Sequence, residues 1–310
     1  DQHLEEVVEL AKKMGYVVMI TADHGNLEVA YGKEGKPHVA HTTNPVPFFI
    51  INPQKAAPLY PRDGSLQDVA PTILQALNLR QPPLMTGESL VPGQAFEGGR
   101  KVLLIILDGW GIGKEDDSNP IFVADTPYWD DLRSTYVMAR LQASGEAVGL
   151  QASKAGNSEA GHINIGAGRM VMQDDVRLDA AMQDGSFQKN PVFRKTIQNV
   201  KERGGALHLL ALLTKKSSHG SVDYPLALLR MAKEAGLPEV YVHIIFDGRS
   251  TQPGSAPALL EELDAQMAEI GAGTIVGGIG RGIALDRDSN YQKIQKAYES
   301  MVLGKGSRYR

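Results

Sequence analysis

Val102-Leu103-Leu104-Ile105-Ile106-Leu107-Asp108-Gly109-Trp110-Gly111 decides the fold. The run from Val102 to Leu107 is apolar without alternation, the pattern of a strand buried in a mostly parallel sheet. An acidic residue follows at once, and glycines after it mark a turn. The same grammar recurs twice. Tyr16-Val17-Val18-Met19-Ile20 leads to Asp23, and Val240 to Phe246 leads to Asp247. In open parallel sheets ligands bind beyond the carboxyl ends of the strands, so carboxylates placed there can converge on one site. For any single strand-end aspartate, a turn or cap is the commoner role.

Between these runs lie helical patterns, and the alternation defines an α/β fold. Leu4, Val7, Val8 and Ala11 are expected on one helical face, which Gly15 ends. Ser65 to Leu77 reads as a helix with Ser65 as cap and Asp68 three residues on. Leu209 to Leu213 reads as another strand. Pro257 to Ile270 carries Leu260, Leu263, Met267 and Ile270 at helical spacing and stops at Gly271. Ile294, Ala297, Tyr298 and Met301 mark one more helix face. Pro92-Gly93-Gln94-Ala95-Phe96-Glu97-Gly98-Gly99 has turn formers and no period, and reads as a linker. A second seam is expected near Arg177 to Asn190.

The chain has 310 residues, 42% of them hydrophobic and 22% charged, which suits folded domains rather than disorder. A net charge of -4 with no basic block argues against a nucleic-acid partner. Cysteine is absent, which excludes disulfides, thiolate metal sites and cysteine nucleophiles. Any metal must then be held by Asp, His or Glu. The apolar runs are too short to span a membrane, and no signal peptide opens the sequence, so a cytoplasmic location is expected.

Gly156-Asn157-Ser158-Glu159 sets one serine between a glycine turn and a helix start. A nucleophile for phosphate would be placed so, because the helix N-terminus stabilises developing negative charge. An ordinary serine cap is the plainer alternative. Thr21-Ala22-Asp23-His24-Gly25-Asn26 adds a histidine to a strand-end aspartate, a donor pair suited to Mn²⁺ or Zn²⁺. His41, in a loop stiffened by Pro45 and Pro47, is a further candidate ligand. His38 reads as solvated, and His3, His208 and His243 as structural. A cationic set, Lys216-Ser217-Ser218-His219, Asp247-Gly248-Arg249-Ser250 and Gly280-Arg281 with Arg287, also follows strand-like runs. It suits a phosphate or carboxylate, while surface ion pairing is the alternative for each cation taken singly.

Taken together, Leu107-Asp108-Gly109-Trp110-Gly111, Gly156-Asn157-Ser158-Glu159, Thr21 to Asn26, His41-Thr42-Thr43-Asn44-Pro45-Val46-Pro47 and Asp68-Val69-Ala70-Pro71-Thr72 resemble cofactor-independent phosphoglycerate mutase, of the alkaline phosphatase superfamily. The resemblance implies an alkaline-phosphatase-like, mostly parallel sheet flanked by helices, plus a second, partial α/β transferase domain. Residues 1–91 resemble the C-terminal part of the phosphatase domain, 92–100 a linker, 101–176 its N-terminal part, and 177–310 the first portion of the transferase domain. The segment order is therefore permuted relative to the family.

The resemblance further implies that Ser158 is the nucleophile that becomes phosphoserine. Asp108, Ser158, Asp23 and His24 would bind one Mn²⁺, and His41 another; Mg²⁺, Zn²⁺ or Co²⁺ would also suit. His219, Arg249, Arg281 and Arg287 would hold the substrate, 3-phosphoglycerate or 2-phosphoglycerate. Three departures matter. Ser250 stands where the family pattern Asp-Gly-Arg-Asp has its second aspartate. The remainder of the transferase domain is not found in the chain, and neither is the stretch completing the His41 metal site. A second chain could supply them, or the absent stretch could be dispensable. Two other readings follow from these departures: a metal-dependent phosphomonoester hydrolase, or a catalytically impaired remnant or partner subunit.

Overall fold

The structure is a computed structural model that describes residues 1–308 except 33–34, 56–57, 92, 94–95, 97 and 218. Pro92, Gln94, Ala95 and Glu97 of the expected linker, and Ser218 of the cationic set, lie outside the described residues. Two compact units divide the chain, Asp1–Val176 and Arg177–Arg310.

The first unit is built on a five-stranded sheet of β1 (Tyr16–Thr21), β2 (Val46–Ile51), β3 (Gly64–Ser65), β4 (Lys101–Ile106) and β5 (Ala139–Gln142), ordered β3-β5-β2-β1-β4. β1 and β4 are parallel, with Tyr16 opposite Lys101 and Thr21 opposite Ile106. β2 runs antiparallel to β1 and to β5, so the sheet is mixed rather than uniformly parallel. The register has a direct consequence. Asp23 and Asp108 each fall two residues beyond paired strand ends, so they emerge side by side.

β1 is buried on both faces. Val17 and Met19 join one apolar cluster with Phe48, Val69 and Ala160, and Val18 and Ile20 join another with Val8, Trp129 and Leu132. Each buried Val, Leu, Ile or Phe contributes about 1.5–3 kcal/mol relative to exposure. Three helices supply these partners: α1 (Gln2–Lys13), α2 (Val69–Ala76) and α3 (Pro127–Thr135). α4 (Ser158–Ala167) adds Ala160 and Ile165. Ser65 and Asp68 do form a capping box, but the first turn from Leu66 to Asp68 is a tighter 3₁₀ turn.

Two expectations need correction. Val102 to Ile106 are only half-buried, because β4 is the edge strand and has a neighbour on one side alone. Val7 is 47% exposed, since Val8 and Ala11 turn α1 toward the sheet and Val7 lies a hundred degrees round from Val8.

The second unit has a parallel sheet of β6 (Leu207–Leu213), β7 (Val240–Phe246) and β8 (Thr274–Gly280), in that order. Leu209, Ala211, Val242 and Ile244 pack under Leu226 and Leu229 of α5 (Asp223–Glu234) and Leu263 and Met267 of α6 (Ala256–Ile270). Gly271 closes α6 at φ 67°, a conformation that favours glycine. On α7 (Tyr291–Leu303) only Ala297 of the expected face is buried, and Tyr298 is 58% exposed. Among the described residues no helix is long and apolar enough to cross a membrane.

Candidate active site and metal centre

Ser158 is the first residue of α4, and Asn157 is its cap, accepting a hydrogen bond from the Ala160 amide at 2.8 Å. The capping alternative for Ser158 is thereby removed, because its neighbour does that work and its hydroxyl stays exposed. The hydroxyl lies 3.1 Å from His24 Nε2 and 3.5 Å from Asp108 Oδ1. His24 Nε2 is also 3.2 Å from Asp108 Oδ1. Nδ1 of His24 faces the Gly25 carbonyl at 3.2 Å. A proton held there leaves the Nε2 lone pair directed at the group.

Asp23, His24 and Asp108 bring one ligand atom each within 4.8 Å of one another. Asp23 is fully buried, and its Oδ1 accepts from the amides of His24 at 3.1 Å and Gly109 at 3.2 Å. Its Oδ2 is buried with no hydrogen bond. A buried carboxylate oxygen left without a donor is costly, and a cation satisfies it. Two carboxylates and an imidazole fit a hard or borderline divalent ion.

Two close approaches set this geometry. A Cβ on Gly161 would stand 2.3 Å from the Asp23 carbonyl oxygen, so α4 can reach the end of β1 only with glycine there. A Cβ on Gly156 would stand 2.1 Å from the Ala143 carbonyl oxygen.

His41 stacks on His24 with ring centroids 3.9 Å apart, and its Nδ1 sits 2.8 Å from the Gly156 carbonyl. It borders the Asp23, His24 and Asp108 group without contributing a ligand atom to it. Two residues that motif reading passed over also belong here. His162, one turn beyond Ser158, holds Nδ1 2.9 Å from the Ser158 carbonyl and 3.3 Å from Asp23 Oδ2. Its i,i+4 spacing from Ser158 was the available signal. Glu28 is 1% exposed and accepts from the amides of Asn26 at 2.8 Å and Gly111 at 3.1 Å, and from Asn44 Nδ2 at 2.9 Å and the Thr42 hydroxyl. It ties the loops after β1 and β4 to the His41 loop.

In the second unit His219, Arg249, Arg281 and Arg287 line one cavity of about 550 Å³ over Leu212 and Ile245. Arg249 Nη1 lies 3.5 Å from His219 Nε2. Arg281 pairs with Asp247. Burial pushes the Asp247 carboxyl up, but the Arg281 hydrogen bond and the Ser250 amide outweigh it and hold the carboxyl below its ordinary value. The Ser250 amide donates to Asp247 Oδ2 at 3.0 Å. Ser250 therefore helps fix Asp247 and offers no carboxylate of its own.

A strand-end Asp-His pair facing an exposed serine at a helix start is a candidate metal centre on an α/β fold. Residues 1–81 match the Metalloenzyme superfamily, and residues 178–310 match the family described as BPG-independent PGAM N-terminus. The chain is similar to 2,3-bisphosphoglycerate-independent phosphoglycerate mutases over part of their length. It is 48% identical over 206 residues to the enzyme of that name from Myxococcus xanthus, covering 66% of this chain and 40% of the relative. To the Parabacteroides distasonis enzyme it is 43% identical over 207 residues, covering 67% of this chain and 41% of the relative. A crystal structure of Leishmania mexicana phosphoglycerate mutase at low cobalt concentration aligns with a TM-score of 0.51 and 28% identity, over 64% of this chain and 38% of that one. The chain thus spans about two fifths of the length of the curated relatives it matches.

Proposed function

We propose that the chain carries phosphoglycerate mutase chemistry, an isomerase reaction interconverting 3-phosphoglycerate and 2-phosphoglycerate through a phosphoserine at Ser158. The observation that supports this most directly is the Ser158 hydroxyl, exposed at a helix start and 3.1 Å from His24 Nε2 inside a metal-ligand group.

Asp23, His24, Asp108 and Ser158 would hold one divalent ion, and His41 would contribute to a second. Mn²⁺ is the expected ion, and Mg²⁺, Zn²⁺ and Co²⁺ suit the same donors. Such an ion acidifies a bound hydroxyl and neutralises charge on the transferred group. The phosphoryl group passes from the 3-oxygen of the substrate to Ser158 Oγ, then from Oγ to the 2-oxygen of the retained glycerate. The amino end of α4 favours the anionic group during both transfers. His219, Arg249, Arg281 and Arg287 would hold the phosphoglycerate through charge-assisted, partly bidentate hydrogen bonds. The reaction would serve glycolysis in the cytoplasm.

Ser250 supports a second reading, a metal-dependent phosphomonoester hydrolase. A serine is a poor general base at neutral pH, so proton exchange with the substrate hydroxyls is weakened and water competes for the phosphoserine.

An enolase-coupled assay on 3-phosphoglycerate, with Mn²⁺ and without 2,3-bisphosphoglycerate, tests the proposal beside Ser158→Ala. Turnover removed by both EDTA and the substitution supports the mutase. Phosphate release without 2-phosphoglycerate supports the hydrolase. Turnover that survives Ser158→Ala overturns both.

A further inference from the structure

β7 and β8 end together, with Phe246 opposite Gly280 in the parallel register. The residue after each strand is therefore brought beside its counterpart, and these two are Asp247 and Arg281. They form an ion pair in which the Asp247 side chain is fully buried and the Arg281 side chain is 23% exposed. Arg281 Nη1 donates to Asp247 Oδ1. The same guanidinium lines the cavity shared with His219, Arg249 and Arg287, whereas Asp247 is not among the described residues that line it.

The carboxylate is fixed from its other side as well. Gly248, at φ 64°, turns the chain back, and the Ser250 amide donates to Asp247 Oδ2 at 3.0 Å. One buried group thus ties the loop that carries Arg249 to the arginine that follows β8. An arginine side chain has many rotamers, and ordering it during binding weakens affinity; an arginine ordered beforehand avoids that loss. We infer that Asp247 is a positioning residue, which holds Arg281 in place at the cavity for a phosphate-bearing anion. The inference rests on the reading that this cavity holds the phosphoglycerate.

A purely electrostatic role has the opposite sign. Asp247→Asn removes a negative charge beside the arginines of the cavity, which by Coulomb attraction alone would tighten anion binding. Arg249 and Arg287 are exposed, so salt screens that gain at physiological ionic strength. Calorimetric titration of 3-phosphoglycerate into the full chain separates the two roles, with EDTA present so that the metal centre takes no part. Asp247→Asn should weaken binding about tenfold, the effect of having to order one freed arginine. The double variant Asp247→Asn with Arg281→Ala should lose little more, because a freed arginine already contributes little. Tighter binding by Asp247→Asn, or a further loss of about tenfold in the double variant, overturns the inference.

A second measurement needs neither the ligand nor a substituted Asp247. Nitrogen-15 relaxation of the Arg281 Nε–H signal, assigned by its loss in Arg281→Lys, should show a guanidinium as rigid as the backbone, with that of Arg249 mobile. A mobile Arg281 overturns the inference. Failure of the unsubstituted chain to take up 3-phosphoglycerate sinks the mutase reading, and the order of the guanidinium then decides the positioning role by itself.

Discussion

His24 Nε2 lies 3.1 Å from the Ser158 hydroxyl, although the two residues stand 134 positions apart. One follows strand β1, next to the edge strand β4, and the other opens α4. Their meeting depends on how closely α4 approaches the strand end, and that approach is set at Gly161. Replacing Gly161 with alanine puts a methyl group 2.3 Å from the Asp23 carbonyl oxygen. The helix must move, at a cost of about 1–3 kcal/mol. The expected outcome is a modest loss of stability in urea unfolding with a much larger loss of Mn²⁺ affinity. An unchanged metal affinity would mean that the contact does not position Ser158.

Asp23 is buried with one carboxylate oxygen lacking a donor, so the metal-free protein carries an unfavourable charge there. Asp23→Asn removes the charge and keeps an Oδ1 acceptor for the amides of His24 and Gly109. The substitution should leave the metal-free melting temperature equal or higher while abolishing the rise caused by Mn²⁺. For the unsubstituted chain that rise corresponds to about 2.7 kcal/mol at a hundredfold excess over Kd. Thermal melts with and without EDTA decide it: a Mn²⁺-dependent rise that persists in Asp23→Asn rules out this residue as a ligand.

Glu28 offers a contrasting case. Its two oxygens accept from the amides of Asn26 and Gly111 and from the side chains of Thr42 and Asn44. Glu28→Gln turns one acceptor into a donor facing donors, and a loss of roughly 2–4 kcal/mol is expected. Chemical denaturation followed by tryptophan emission reads this, because Trp110 lies on the segment that Glu28 tethers. A loss below that of an ordinary surface substitution would show that the bonds are not load-sharing.

The strand ends were legible because unbroken apolar runs and the acidic residues after them are local signals. Asp23 and Asp108 follow from that pattern once β1 and β4 pair in parallel. The edge position of β4 was not legible, since burial of Val102 to Ile106 depends on which strands flank it rather than on its own composition. The same holds for α7, where Ile294 and Tyr298 have helical spacing but little to pack against. Glu28 escaped motif reading because its partners come from three separate loops. Asn157 escaped because Asn and Ser are both good caps, and only the extended backbone at Asn157 distinguishes which residue caps and which is freed.

His243 on β7 makes the second unit sensitive to pH. Burial, and then the neighbouring His208 with its Nδ1 3.0 Å away, push the His243 pKa below its ordinary value of 6.5. The unfolded chain then takes up the proton more readily than the folded one. Stability is full above about pH 6.5 and falls as pH drops through that value toward the folded pKa, below which the loss is complete. Hydrogen exchange at β7 amides should accelerate over that window beyond the intrinsic rate. His243→Phe should flatten the dependence, whereas a profile unchanged by the substitution would assign the effect elsewhere.

The paired substitutions Asn157→Ala and Ser158→Ala separate structure from chemistry at the start of α4. Asn157 accepts from the Ala160 amide, and removing a cap of this kind costs about 1 kcal/mol. Ser158 caps nothing, and its side chain is exposed, so its loss should leave stability nearly unchanged. The chemical consequences run the other way. Ser158→Ala should abolish the labelled phosphoenzyme formed from radiolabelled phosphoglycerate with Mn²⁺, because no other hydroxyl occupies its place beside His24. Asn157→Ala should retain the label, at a reduced level, because a frayed first turn holds Ser158 near His24 for less of the time. Full labelling of Ser158→Ala would remove it as nucleophile, and equal stability losses in the two variants would return to Ser158 the capping role that the structure gives to Asn157.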